Sequence, residues 1–235
     1  MARTGANALK KLDEDNYLFY ANGISNSVLE NIPRHNFEIK EIEAIAKKQK
    51  DKKFIYFSTS QVNSAANHDR AYVKHKVHLE KLIIQHFPHY LIIRTTNLVG
   101  NNPWNTHTLF NYLYHAITVN QQITVNPVLM RNFLDAAHLS TLLRAYLCRK
   151  EGNEIIEIVN PVSYNMQQII SEFEHFFKKK FNLELVSDQN DFAVFEMDTR
   201  LSVDLFTECH ISTNDYIPHL MEKYYASSPV TKAAI

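Results

Sequence analysis

Three side chains in the first third of the chain could, by type and spacing, run proton-transfer chemistry. Thr59 follows a run of aromatic and β-branched residues at 54–57 (FIYF), Tyr72 comes after a polar stretch, and Lys76 lies four residues further on. Helical positions four apart share a face, so a helix starting near Tyr72 would set its phenol and the Lys76 ammonium one turn apart. A nearby ammonium draws a phenol's pKa down toward working pH, and a Ser or Thr hydroxyl alongside can hold the reacting oxygen. In a chain with 12 tyrosines the Tyr-x-x-x-Lys spacing also arises by chance. It carries meaning only if the neighbouring elements bring the three groups together.

Those elements are legible. Residues 54–57 read as a strand buried on both faces, with Ser58, Thr59 and Ser60 at its end. A helix over 71–87 carries Val73, Val77, Leu79, Leu82, Ile83 and Ile84, and Pro88 ends it. Upstream, a short strand at 17–20 leads into a small-residue loop with Gly23, Ser25 and Ser27, and an amphipathic helix spans 36–50. Downstream come a strand at 90–94 ending in Thr95-Thr96-Asn97, a loop with Pro103 and Trp104, and a helix at 106–119. Strands are predicted at 122–125, 155–159 and 183–186, and helices at 136–148, at 166–179 (capped by Ser163) and at 217–225. Alternating apolar strands and helices predict an α/β fold, a parallel sheet covered on both faces. Ligands of such sheets lie beyond the strands' C-terminal ends, where the loops after residues 20, 57 and 94 all fall.

Composition narrows the function classes. Lys+Arg and Asp+Glu number 25 each, so no net field draws nucleic acid or an anionic membrane. The basic run at 47–53 reads as a solvated helix end. Cys148 and Cys209, the two cysteines, have no metal-like spacing and predict a reducing cytoplasm rather than a disulfide frame. No apolar run approaches the ~18 residues of a membrane span, and no signal peptide is visible. The 12 histidines are scattered; His75 and His78 lie three apart on a predicted helix without a Cys or carboxylate to complete a ligand set, so no metal is expected. Only Gly5, Gly23, Gly100 and Gly152 are glycines, which damages any function needing a glycine-rich loop.

In this context the chain resembles the extended short-chain dehydrogenase/reductase superfamily, in particular NAD-dependent nucleotide-sugar epimerases and dehydratases. FIYFSTSQV resembles the family's strand with its catalytic Ser/Thr, and AYVKHK its Tyr-x-x-x-Lys site. LIIRTTNLVG, MRNFLDAAHLS and EIVNPVSYNMQQII resemble, in order, its Arg-x-x-Asn-x-x-Gly strand, its Arg-x-Phe segment and its late strand, asparagine and helix. The resemblance implies a Rossmann-like region over 1–120, truncated at its N-terminal strand, and a small α/β substrate lobe over 121–235 from which elements near 136–160 return to the main sheet. It implies Tyr72 as acid/base, Lys76 as the group that lowers its pKa and binds the nicotinamide ribose, and Thr59 as the partner of the sugar hydroxyl. Contacts to NAD or NADP are implied at Gly5, Ala21, Gly23, Ser58, Tyr72, Lys76 and Thr96. A nucleotide-diphosphate sugar would be held by Thr59, Asn97 and Arg131, the last suited as a fork to phosphate oxygens.

The departures count as well. The glycine fingerprint is reduced to Gly5 with four residues before it, and the family's second and third strands have no counterpart before residue 16. Where dehydratases of the family carry an Asp-Glu pair after the catalytic Thr, this chain has Ser60 and Gln61, which argues for epimerisation or keto-sugar reduction over dehydration. Two readings stay open: a trimmed enzyme, or a degenerate member acting as a binding or scaffolding module. The resemblance also implies a cytoplasmic homodimer formed through the helices at 36–50 and 71–87.

Overall fold

The structure, a computed structural model, describes residues 16–24, 32–49, 51–64, 67–101, 108–149, 152–186 and 197–226. Gly5, Ser25, Ser27, Pro103 and Trp104 lie outside the described residues. The first half alternates β1 (Tyr17–Tyr20), α1 (Ile32–Lys48), β2 (Lys53–Thr59), α2 (Ala71–His86) and β3 (Tyr90–Thr95). There follow β4 (Asn97–Val99), α3 (Leu109–Val119), β5 (Gln122–Val125), β6 (Met130–Arg131), β7 (Phe133–Asp135), α4 (Ala136–Leu147) and β8 (Glu154–Ile158). The chain closes with β9 (Tyr164–Asn165), α5 (Met166–Phe177), β10 (Asn182–Leu185), α6 (Arg200–Glu208) and α7 (Tyr216–Tyr225).

The main sheet has the order β1-β2-β3-β8, every pair parallel. It is the α/β sheet the apolar runs predict, and β8 does return to it from the second half of the chain. Strand residues alternate between faces, and in β2 both faces are apolar. Phe54 and Tyr56 pack with Ile42 and Ala46 of α1 and Leu79 and Ile83 of α2. Ile55 and Phe57 look the other way, into one core with Leu91 and Ile93 of β3 and with Phe110, Phe173 and Tyr225 of α3, α5 and α7. Each such side chain, fully buried, contributes about 1.5–3 kcal/mol. The sheet and the helices of the second half therefore share a core. Phe110 lies within it, edge-on to Phe133 at 5.3 Å and tilted on Phe173 at 4.9 Å.

Three elements differ from the sequence reading. α1 starts at Ile32, earlier than residue 36, because Pro33 is tolerated in a first turn, where its missing N–H goes unused. α5 is capped by Asn165, not Ser163: the Asn165 side chain accepts from the Gln168 N–H and Gln168 reaches back to the Asn165 N–H. The Ser163 hydroxyl instead accepts from Asn132. Helix α6 was not anticipated; its short run buries Ser202, Leu205 and Phe206. Among the described residues no helix is long and apolar enough to cross a membrane.

Candidate active site

Because β1, β2 and β3 run parallel, their C-terminal ends open onto one edge. Ala21 and Gly23 leave β1 there, Thr59 ends β2, and Thr95 and Thr96 leave β3. Thr59 Oγ1 accepts the Gln61 N–H at 3.3 Å and so caps the short 3₁₀ turn Ser60–Asn63. The turn and the polar loop after it deliver the chain to α2, whose second residue is Tyr72. The Thr59 side chain lies near enough to the Tyr72 hydroxyl to draw its pKa down. Lys76, one turn further, lies with its Nζ 5.9 Å from the centre of the Tyr72 ring. The three groups singled out by type and spacing thus share one corner of the sheet's edge.

The surroundings of Lys76 were not foreseen. Its ammonium, in a side chain only 2% exposed, donates to the Tyr56 hydroxyl at 2.8 Å and lies 3.6 Å from the Glu38 carboxylate. Glu38 is itself buried; it meets His75 Nε2 at 2.9 Å and accepts from the Ile24 N–H at 3.3 Å and the Tyr56 hydroxyl at 3.4 Å. The His35 ring stacks on His75 at 4.1 Å. Gly23 closes the group from the β1 side: a Cβ there would come within 2.9 Å of Glu38 Oε1 and 3.0 Å of Lys76 Nζ, so any larger residue would have to push the ends of this pair aside.

This corrects the expected electrostatics. Burial pushes the Tyr72 phenol up to about 12; the Thr59 side chain pulls it down and the Glu38 charge pushes it up again. Lys76 does not bring it toward neutrality, because Glu38 answers the ammonium's charge at close range. Burial also lowers Lys76 itself, against the attraction of Glu38 and Glu80. For Glu38 burial works upward, yet the His75 bond, the Lys76 charge and the Ile24 N–H together hold the carboxyl below the usual range.

Other predicted contact residues are engaged elsewhere. Ser58, on the opposite face of β2 from Thr59, donates to Glu80 at 2.5 Å, and Arg94 clamps the same carboxylate at 3.1 and 2.6 Å. Any Ser58 contact to a ligand at the edge must come from its backbone. Thr96 Oγ1 and Asn97 Nδ2 both donate to the Asn132 carbonyl, at 2.9 and 3.0 Å. The Asn132 amide in turn donates to the Asn160 and Val162 carbonyls at 2.8 and 3.1 Å and accepts the Asn160 N–H. One buried residue, through its backbone carbonyl and its side-chain amide, thus ties together the segments leaving β3, β6 and β8. Arg131, half-buried beside this knot, donates to the Met130 carbonyl at 3.3 Å. Glu38, Tyr56, His75 and Asn132 are the site's residues that the sequence reading missed. The signal for Glu38 was present: with Ile42 and Ala46 it forms the buried stripe of α1 at four-residue spacing, and a carboxylate on that stripe needs a buried partner.

The donors present suit a dinucleotide's ribose. Of the three N–H groups on the Lys76 ammonium, Tyr56 takes one, and Glu38 at 3.6 Å stands beyond hydrogen-bond length, which leaves capacity for a ribose hydroxyl.

No protein-family description matches the chain, and no curated protein matches it by sequence. Solved structures do match in fold. An NAD-dependent NDP-hexosamine 5,6-dehydratase of tunicamycin biosynthesis superposes with a TM-score of 0.63 at 16% identity, over 83% of this chain and 72% of that one. UDP-glucuronic acid 4-epimerase from Bacillus cereus, solved with UDP-glucuronic acid and NAD, gives 0.60 at 18% identity over 92% and 78% of the two chains. A thiolation-reductase di-domain from an archaeal non-ribosomal peptide synthetase gives 0.64 at 12% identity over 90% and 57%. The fold is therefore a Rossmann-like α/β fold, shared with solved nucleotide-sugar epimerases and dehydratases.

Proposed function

We propose that a protein with this fold and this corner of hydroxyl, phenol and ammonium is an NAD(P)-dependent enzyme acting on a nucleotide-diphosphate sugar, as a keto-sugar reductase or an epimerase. The observation that carries the reading is the convergence of the hydroxyls of Thr59, which ends β2, and Tyr72, one turn before Lys76 on α2, at the C-terminal edge of the sheet. It supports a single sugar oxygen being gripped by both groups. Bound nicotinamide would supply the hydride acceptor or donor. Tyr72, held neutral by its burial, starts as a proton donor: it gives its proton to a carbonyl oxygen as that oxygen becomes a hydroxyl, and takes it back in the reverse direction. Thr59 holds the oxygen in place. Lys76, kept in position by Tyr56 and Glu38, offers a positive charge to the phenolate left behind and a donor to the cofactor ribose. Asn97, at the start of β4, and Arg131, at the end of β6, are the candidate grips for the diphosphate.

A second reading, a binding module without turnover, draws support from the same Lys76. An ammonium already paired with a buried carboxylate has less to gain from a ribose than a solvated one. Melting the protein with NADH or NADPH separates the two, since a ligand that binds the native state raises its stability by about 2.7 kcal/mol at a hundred times its dissociation constant. A shift followed by hydride transfer to or from UDP-sugars supports the enzyme. No shift with either nucleotide at millimolar concentration ends it.

We further propose a homodimer through α1 and α2. Phe37 of α1 is 62% exposed and Ile84 of α2 42% exposed, and exposed apolar side chains of that size on both helices fit a four-helix contact.

A further inference from the structure

Away from the sheet's edge, a cleft of about 620 Å³ opens beside α7, with His138, His210, His219 and Glu222 on its walls. At its inner end Asp135, His138 and His219 bring one ligand atom each to within 4.8 Å of one another. Two of the three are held from behind. Asp135 caps α4 by accepting the Ala137 N–H at 2.7 Å and is fully buried. His138 Nδ1 lies 2.8 Å from the Tyr216 hydroxyl, which also accepts the Asp135 N–H at 3.1 Å. That contact fixes the imidazole and leaves Nε2 facing Asp135 Oδ2 at 4.0 Å. His219, on α7, sets its ring parallel to His138, with centres 5.7 Å apart. An imidazole tied through one nitrogen and open at the other is how metal-ligating histidines are commonly oriented.

We infer that Asp135, His138 and His219 form a binding site for a divalent first-row transition ion of the zinc class, with water completing the shell. Two imidazoles and one carboxylate suit such an ion, at about 2.0–2.2 Å per bond. Small rotations of the exposed His219 ring bring its nitrogen into that range. A competitor is already in place. Lys223 Nζ sits 2.6 Å from Asp135 Oδ2, and an ion that takes this oxygen must displace it. The Lys223 side chain is 34% exposed, so it has a route into solvent. The ion would tether α4, and with it β7, to α7. The inference does not depend on the proposed enzyme activity.

The test uses the full chain stripped with a chelator and titrated with Zn²⁺ by calorimetry and with Co²⁺ by visible spectroscopy. The expected result is one ion per chain at micromolar affinity or better, intense cobalt bands of a four-coordinate site, and a raised melting temperature. His138→Ala and His219→Ala should each weaken binding at least tenfold, while His78→Ala, on exposed α2 surface, leaves it unchanged. Lys223→Met should tighten binding several-fold, because it removes the competing ammonium. No binding at micromolar ion overturns the inference, as does binding that survives the combined loss of both histidines in a chain that still folds by circular dichroism. A Lys223→Met variant that binds no better would strike Asp135 from the ligand set and the site with it.

Discussion

Replacing Glu38 by Gln keeps the shape of the side chain and removes its charge. The carboxylate meets His75, the Ile24 N–H, Tyr56 and Lys76, and both it and the lysine are almost wholly out of water. Removing one member of a buried ion pair typically costs about 3–5 kcal/mol, because the surviving charge stays buried without its partner. For a chain of this length each kcal/mol moves the midpoint by roughly 2–4 °C, so Glu38→Gln should melt about 6–20 °C lower. Lys76→Met alone should also destabilise, by leaving the carboxylate unanswered. The double variant should recover much of the loss, since an apolar replacement of both charges is often neutral. The assay is thermal and urea denaturation of the four proteins, read as a double-mutant cycle. A coupling of about 2 kcal/mol or more is expected for groups in this contact. Strictly additive effects, or a Glu38→Gln midpoint within a degree of the parent, would refute the claim that Glu38 is the internal counter-ion of Lys76.

Tyr72→Phe should lower turnover by about 10²–10⁴ while the NADH-induced melting shift persists, which separates proton transfer from cofactor binding; loss of both together would count against a catalytic phenol. Acid titration should find stability intact above the ordinary carboxyl values of 4.5 for Glu38 and 3.8 for Asp135, and falling as pH drops through their lower folded-state values. The Glu38→Gln variant should show a shallower acid limb. Asn132→Ala strands several buried partners, each worth about 1–3 kcal/mol; a drop of several degrees in the melting midpoint is expected, and an unchanged midpoint would dismiss the knot. Phe37→Glu should convert a dimer to a monomer in light scattering, and a parent already monomeric at micromolar concentration would dispose of the four-helix contact.

How far the sequence could be read follows from what kind of order each feature needs. The strands and main helices were legible because apolar runs and three-to-four-residue spacing are local: 122–125 matched to the residue, and α2 to its last turn. The Thr59–Tyr72–Lys76 corner was legible because it hangs on one strand end and one helix start. The Glu38–Lys76 pair was not, since it joins α1 to α2 through a contact 38 positions apart that no local pattern encodes. The same holds for Asn132, whose partners come from two distant segments of the chain. The phenol's pKa was misjudged for a related reason. The sequence shows an ammonium one turn away, but not the carboxylate that answers it or the depth at which both are buried. Helix α6 escaped because nine residues with few apolar positions look like surface until the sheet they cover is known.

Strand β8 has a consequence for how the chain acquires its shape. It pairs with β3 in register from Leu91 with Glu154 to Thr95 with Ile158, so a loop of roughly sixty residues must close before the sheet is complete. Closing it costs entropy that grows only with the logarithm of its length, but the partner strand does not exist until Ile158 has been added to the chain. A nascent chain halted before that point would present the open side of β3 to whatever strand came near. Ribosome-bound intermediates of this protein are thus the stage at which a chaperone would matter most.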